Sequence, residues 1–149
     1  SGVIQHDLDA RPLFDRYTIP ALKKSILEPK MFFIKELKSY LSNYEGSALN
    51  IFGKVTSGLI GTGDKFISSQ SDIDKLKNKI KSLKAVEMEG AAVAQVAAQE
   101  NIPWIVLRVI SDNADESAAN NFNSFLKVYK ENSSNLLLII LEKLSLLIN

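Results

Sequence analysis

Residues 85–115 read AVEMEGAAVAQVAAQENIPWIVLRVISDNAD. Three segments of different character follow one another: a short strand ending in carboxylates, an alanine-rich helix and, after Pro103 as punctuation, the run WIVLRVI. That order is a βαβ unit. A run apolar on both faces is what a parallel strand covered by helices on both sides requires, and the small residues of the helix let it sit close to the sheet. Parallel strands end at a common edge, and open α/β sheets bind their ligands outside it. The pattern therefore predicts that Glu87 and Glu89 meet Ser111 and Asp112 there. Two apart on a strand, the glutamates would share one face. Like charges that close repel unless a cation or hydrogen-bond donors lie between them.

Outward from this unit, DIDKLKNKIKSLK at 72–84 places Ile73, Leu76, Ile80 and Leu83 at helical spacing. Ser71 and Asp74 read as its capping box, and its lysines as a solvated face. Leu49 to Ile60 alternates well enough for one strand, broken or bulged at Gly53, and leads into GLIGTGDKF. This turn is not a phosphate-binding P-loop, because Asp64 stands where that motif needs lysine. Between Ala21 and Tyr44 a helical pattern is broken by Pro29, which predicts two helices or a kink. The run LLLIILEKLSLLIN at 136–149 carries Glu142 and Lys143 and is shorter than the roughly 20 apolar residues of a membrane span. It reads as a buried C-terminal helix.

The bulk numbers bound the function. A chain of 149 residues, 46% hydrophobic, suits one domain over 1–149 with a sizeable core. Lysines and arginines number 18 against 17 acidic residues, so charge argues for neither nucleic acid nor a membrane surface as partner. The absence of cysteine excludes disulfides, thiolate metal sites and cysteine nucleophiles, and fits a reducing, bacterial-type cytoplasm. Nothing at the amino terminus reads as a signal peptide, although Ser1 stands where a methionine would begin a gene product.

Three carboxylates at one sheet edge, with Arg108 the only charge inside the following strand, suit a polyhydroxylated ligand, because carboxylates accept hydrogen bonds from sugar hydroxyls. A buried aspartate can also hold its proton near neutrality and act as a general acid. A structural reading stands beside this one: an Arg108–Glu salt bridge at a strand end, with Asp112 capping the next turn. Glu87, Glu89, Asp112 and Asp115 could offer oxygens to Mg²⁺ or Ca²⁺, but neither an EF-hand spacing nor a phosphate loop accompanies them. His6 is the only histidine, which excludes a histidine-rich zinc site and leaves it a hydrogen-bonded structural residue near Asp7 or Asp9. Phe66 and Phe122 read as stacking platforms or as core.

Taken in order, VIQHDLDARPLF, GLIGTGDKFI, VEMEGAAVAQVA and PWIVLRVISDNAD resemble the 5′-methylthioadenosine/S-adenosylhomocysteine nucleosidases of the nucleoside phosphorylase superfamily. The resemblance runs from about Val3 to the C-terminal helix. It implies a three-layer α/β sandwich with a mixed central sheet flanked by helices, hydrolysis of an N-glycosidic bond with release of adenine, and no metal or organic cofactor. It also implies residue roles. Glu89 would accept hydrogen bonds from the ribose 2′ and 3′ hydroxyls, with Met88 packed on the sugar and Glu87 supporting from alongside. Asp112 would protonate adenine N7, held by Ser111. Phe66 would stack on the purine, the Ile67 backbone would read its edge, Phe122 would line the 5′-alkylthio pocket, and Arg108 would stand near the attacking water. Leu13, Phe14 and Pro20 would close the same pocket of a second subunit in a homodimer.

One departure matters. Family members begin with a further βαβ portion carrying the glutamate that activates water, and the chain starts after it. The resemblance thus implies that these 149 residues alone are inactive. A purine nucleoside phosphorylase and a catalytically silent nucleosidase-like remnant are the alternatives to a hydrolase of methionine salvage.

Overall fold

The structure, a computed structural model, describes residues 1–44, 51–112 and 118–148. Its sheet contains β1 (Gly2–Gln5), β2 (Ile26–Leu27), β3 (Leu59–Thr62) and β4 (Leu83–Glu87), in the order β2-β1-β3-β4. β1, β3 and β4 run parallel, and β2 pairs antiparallel with the outer edge of β1. The sheet is therefore mixed. The register sets Gln5 opposite Thr62 and Thr62 opposite Glu87, so three polar side chains finish in line at the carboxyl edge. The helices are α1 (Met31–Ser42), α2 (Gln70–Lys79), α3 (Gly90–Gln99) and α4 (Ala118–Ile148).

The chain forms two compact units, one of Ser1–Lys30 with Gly58–Leu107 and one of Met31–Ser57 with Arg108–Asn149. In the first, alternation along β1 sends Val3 to one face of the sheet and Ile4 to the other. Val3 joins Ile19, Leu27 and, from α3, Ala91 and Ala94; the two alanines let helix and sheet approach closely. Ile4 joins Leu59, Leu83 and Ile80, with Leu76 of α2 packed beside them. Helix, sheet and helix thus make three layers. In the second unit α1 and α4 pack together, and the Lys143 ammonium lies 5.4 Å from the Tyr40 ring centroid. No helix among the described residues is long and apolar enough to cross a membrane.

Several sequence expectations are corrected. WIVLRVI is not a strand: residues 102–110 pair with no ladder, and Trp104 and Val106 instead pack their side chains on the Val3–Ala94 cluster. A strand exists only where a neighbour takes its backbone hydrogen bonds. The helix expected from Ala21 is a turn followed by β2, because the edge of β1 recruits Ile26 and Leu27. The strand expected over 49–60 is shorter and later, at Leu59–Thr62, and residues 49 and 50 lie outside the described residues. Ser69, not Ser71, caps α2, accepting from the Asp72 N–H at 3.2 Å, and Leu83 belongs to β4. The C-terminal helix is longer than expected and mostly exposed: Leu137, Leu138, Leu141 and Leu146 face solvent while Ile140 is buried.

Candidate functional site

The carboxyl ends of β3 and β4 are tied together by side chains. β4 ends at Glu87 and α3 begins at Gly90, so Glu89 is the helix N-cap rather than a strand residue. The two glutamates consequently do not share a strand face, as the sequence reading had expected. Glu87 turns back on the helix that follows it: its carboxylate accepts from the Glu89 N–H at 3.2 Å and from the Gly90 N–H at 2.8 and 3.0 Å. Those are orphan donors of a helix start, where the macrodipole also favours an anion. The Thr62 hydroxyl donates to the same carboxylate and accepts from the Ala91 N–H at 2.8 Å. The donors that reconcile Glu87 with its neighbour are therefore largely the protein's own. Met88 and Glu89 project from this turn, both exposed.

The loop after β3 is fastened just as closely. The Gly63 N–H donates to the Glu87 carbonyl at 3.1 Å, the His6 N–H to the Thr62 carbonyl at 2.9 Å, and the Asp64 N–H to Asp7 Oδ2 at 2.8 Å. Lys65 pairs with Asp72 at 2.7 Å, and that hydrogen bond holds the Asp72 carboxyl below its ordinary range. The loop presents Phe66 at 55% exposure and buries Ile67. His6 lies beneath it, buried, with no partner for Nε2 among the described residues, so the hydrogen-bonded role expected for it is not met at that nitrogen. A Cβ at Gly63 would overlap Cε1 and Nε2 of this ring.

In the loop beyond β1, Arg11 holds Asp9 through Nε and Nη2, at 2.8 and 2.5 Å, and this hydrogen bonding lowers the Asp9 pKa to about 2. The depressed value means that any stability from the pair is present above 3.8 and lost as pH falls through about 2. In Arg11→Gln the NMR-monitored titration of the Asp9 carboxyl should return towards 3.8; an unmoved midpoint would assign the shift to another group. Beyond it, Leu13 and Pro20 are exposed and Phe14 is half-buried.

In the second unit, Ser111 Oγ donates to Asp112 Oδ2 at 2.6 Å, both residues being half-buried, and Arg108 is exposed. Phe122 is exposed, its ring centroid 6.4 Å from that of Phe125. Asp115, considered above as an oxygen ligand, lies outside the described residues. Among the described residues no three acidic or histidine side chains gather as a metal site.

Residues 1–143 match the sequence model of the Phosphorylase superfamily. The chain belongs to that superfamily. A 5′-methylthioadenosine/S-adenosylhomocysteine nucleosidase of Glaesserella parasuis is 33% identical over 140 residues, 93% of this chain and 57% of that protein. Among solved superfamily structures, S-adenosylhomocysteine nucleosidase of Streptococcus pyogenes, in complex with 5-methylthiotubericidin, aligns with a TM-score of 0.78 at 32% identity, covering 95% of this chain and 57% of that one. Futalosine hydrolase of Helicobacter pylori aligns with a TM-score of 0.75 at 31% identity, covering 95% and 57%. The chain thus spans little more than half the length of these superfamily relatives.

Sequence reasoning missed Thr62 and the placement of His6. A signal for Thr62 existed: it is the hydroxyl residue ending an apolar strand just before the glycine turn, beside a parallel strand ending in glutamate. Nothing in the sequence marked the contact of His6 with Gly63, since 57 positions separate them and only the pairing of β1 with β3 joins them.

Proposed function

We propose that the chain carries the base-binding and ribose-binding part of a purine nucleosidase that hydrolyses the N-glycosidic bond of 5′-methylthioadenosine and S-adenosylhomocysteine. The observation that carries this reading is the likeness, over 95% of the chain, to a nucleosidase solved with a methylthio nucleoside analogue. Cleavage builds positive charge on the ribose and negative charge on the leaving base, so a carboxylate at the sugar and an acid at N7 stabilise opposite ends. Glu89 is the sugar carboxylate. Asp112, held by the Ser111 hydroxyl, is the acid. Phe66 stacks on the purine, the Ile67 backbone reads its edge, Met88 packs on the ribose, Phe122 lines the 5′ pocket and Arg108 stands near the attacking water, with Glu87 in support.

In this reading the protein acts in the cytoplasm as a homodimer in methionine salvage, with Leu13, Phe14 and Pro20 of one copy closing the 5′ pocket of the other. The water-activating glutamate belongs to the portion of the family domain that precedes this match. The 149 residues alone should therefore release no adenine, and the chain joined to that portion should. Chromatographic detection of adenine from 5′-methylthioadenosine, with and without phosphate, tests both statements and separates hydrolase from phosphorylase. The likeness to futalosine hydrolase makes futalosine the second substrate to assay.

Glu89→Gln is expected to lower turnover about 10²-fold on the ribonucleoside, because the lost charge faces the developing cation. On the 2′-deoxy substrate the loss should be smaller, since one of the hydroxyls Glu89 serves is gone. Equal, slight losses on both substrates would remove Glu89 from the ribose.

A further inference from the structure

We propose that Thr62 is a positioning residue: its hydroxyl, donating to Glu87 and accepting from the Ala91 N–H, holds the Glu87–Met88–Glu89 turn in place and thereby places Glu89 for the ribose. The inference rests on the nucleoside reading above and extends it to a residue outside that set.

The geometry is a closed circuit. β3 and β4 are aligned by backbone pairing, Thr62 opposite Glu87, but a ladder fixes only the strand and not the turn beyond it. Thr62 spans that gap from a buried position, and its single hydroxyl is used in both directions, as donor to Glu87 and as acceptor from the helix. Glu87 completes the circuit by accepting from the backbone of Glu89 and Gly90. Gly90 gives the carboxylate room: a Cβ there would stand 2.9 Å from Glu87 Oε1. Every backbone N–H from position 89 to 91 is thus taken by one of these two side chains.

Without the hydroxyl, the buried Ala91 N–H loses its acceptor and the Glu87 carboxylate loses one of its donors, which is costly enough to let the turn shift. Valine matches threonine in shape and lacks the hydroxyl, whereas serine retains it. The circuit therefore predicts loss in Thr62→Val and rescue in Thr62→Ser.

The test uses the full 149-residue chain. In the unmodified protein, NMR should detect the Thr62 hydroxyl proton in slow exchange with water, which needs no variant. Amide hydrogen exchange at positions 89–91 should be about tenfold faster in Thr62→Val and unchanged in Thr62→Ser. Calorimetric titration should show 5′-methylthioadenosine bound about tenfold more weakly by Thr62→Val, free adenine bound as before, and both restored in Thr62→Ser. A rapidly exchanging hydroxyl, or unchanged amide exchange in Thr62→Val, overturns the circuit. Equal weakening of adenine and nucleoside overturns the positioning of Glu89. Failure of the unmodified chain to bind either ligand counts against the nucleoside reading itself, while the exchange measurements still judge Thr62.

Discussion

Asp112→Asn is expected to reduce adenine release by about 10²–10⁴-fold, in a form of the protein that releases adenine, while nucleoside binding survives. The substitution can keep the hydrogen bond from Ser111. Ser111 Oγ donates to Asp112 Oδ2 at 2.6 Å, and the asparagine carbonyl can accept the same bond. In the nucleosidase reading proposed above, its amide group would still be able to donate to N7. What it cannot do is transfer the proton, so the leaving purine departs with its negative charge uncompensated. Stopped-flow binding and single-turnover adenine release, measured on the same preparation, separate the two effects. Turnover comparable to that of the unsubstituted enzyme would take the acid role away from Asp112.

The second large effect is on stability. Gly63→Ala should destabilise the fold by about 3 kcal/mol, at the upper end of overpacking, lowering the melting temperature by roughly 5 °C or more. The added Cβ would overlap Cε1 and Nε2 of His6, and neither side can yield easily. The ring is buried, and the loop backbone is held by the Gly63 N–H on the Glu87 carbonyl and by the Asp64 N–H on Asp7. A companion His6→Ala substitution removes the obstacle, so the double variant should be more stable than the sum of the single losses allows. Strict additivity in thermal denaturation would show that the two residues do not meet.

The start of the βαβ unit was legible because both of its signals are local. An apolar stretch ended by carboxylates became β4, and the alanine spacing became the buried face of α3. The α/β class followed from that. WIVLRVI was not legible as what it is, since hydrophobicity says that a segment will be covered but not whether a neighbouring strand is there to pair with it. Ile26 and Leu27 failed for the opposite reason: two residues carry no period, and only the edge of β1 makes them a strand. The two glutamates were recognised as a site but misassigned in geometry. Their spacing fits one face of a strand, but the strand ends at Glu87 and Glu89 caps the helix that follows, while the sheet register brings Thr62 alongside. A register is a property of two segments together, which is why neither Thr62 nor His6 could be read from its own surroundings.

The folding-back of Glu87 also changes the charge that a bound molecule would meet. Counted in the sequence, the turn offers two negative charges. In the structure one of them is pressed against the positive end of α3 and bonded to two of its N–H groups, which partly neutralise it. A cation-like species above the turn would then meet less negative charge than the two carboxylates of the sequence suggest. Simple cations would gain little from such a surface, and selectivity would come from where the positive charge lies within the ligand.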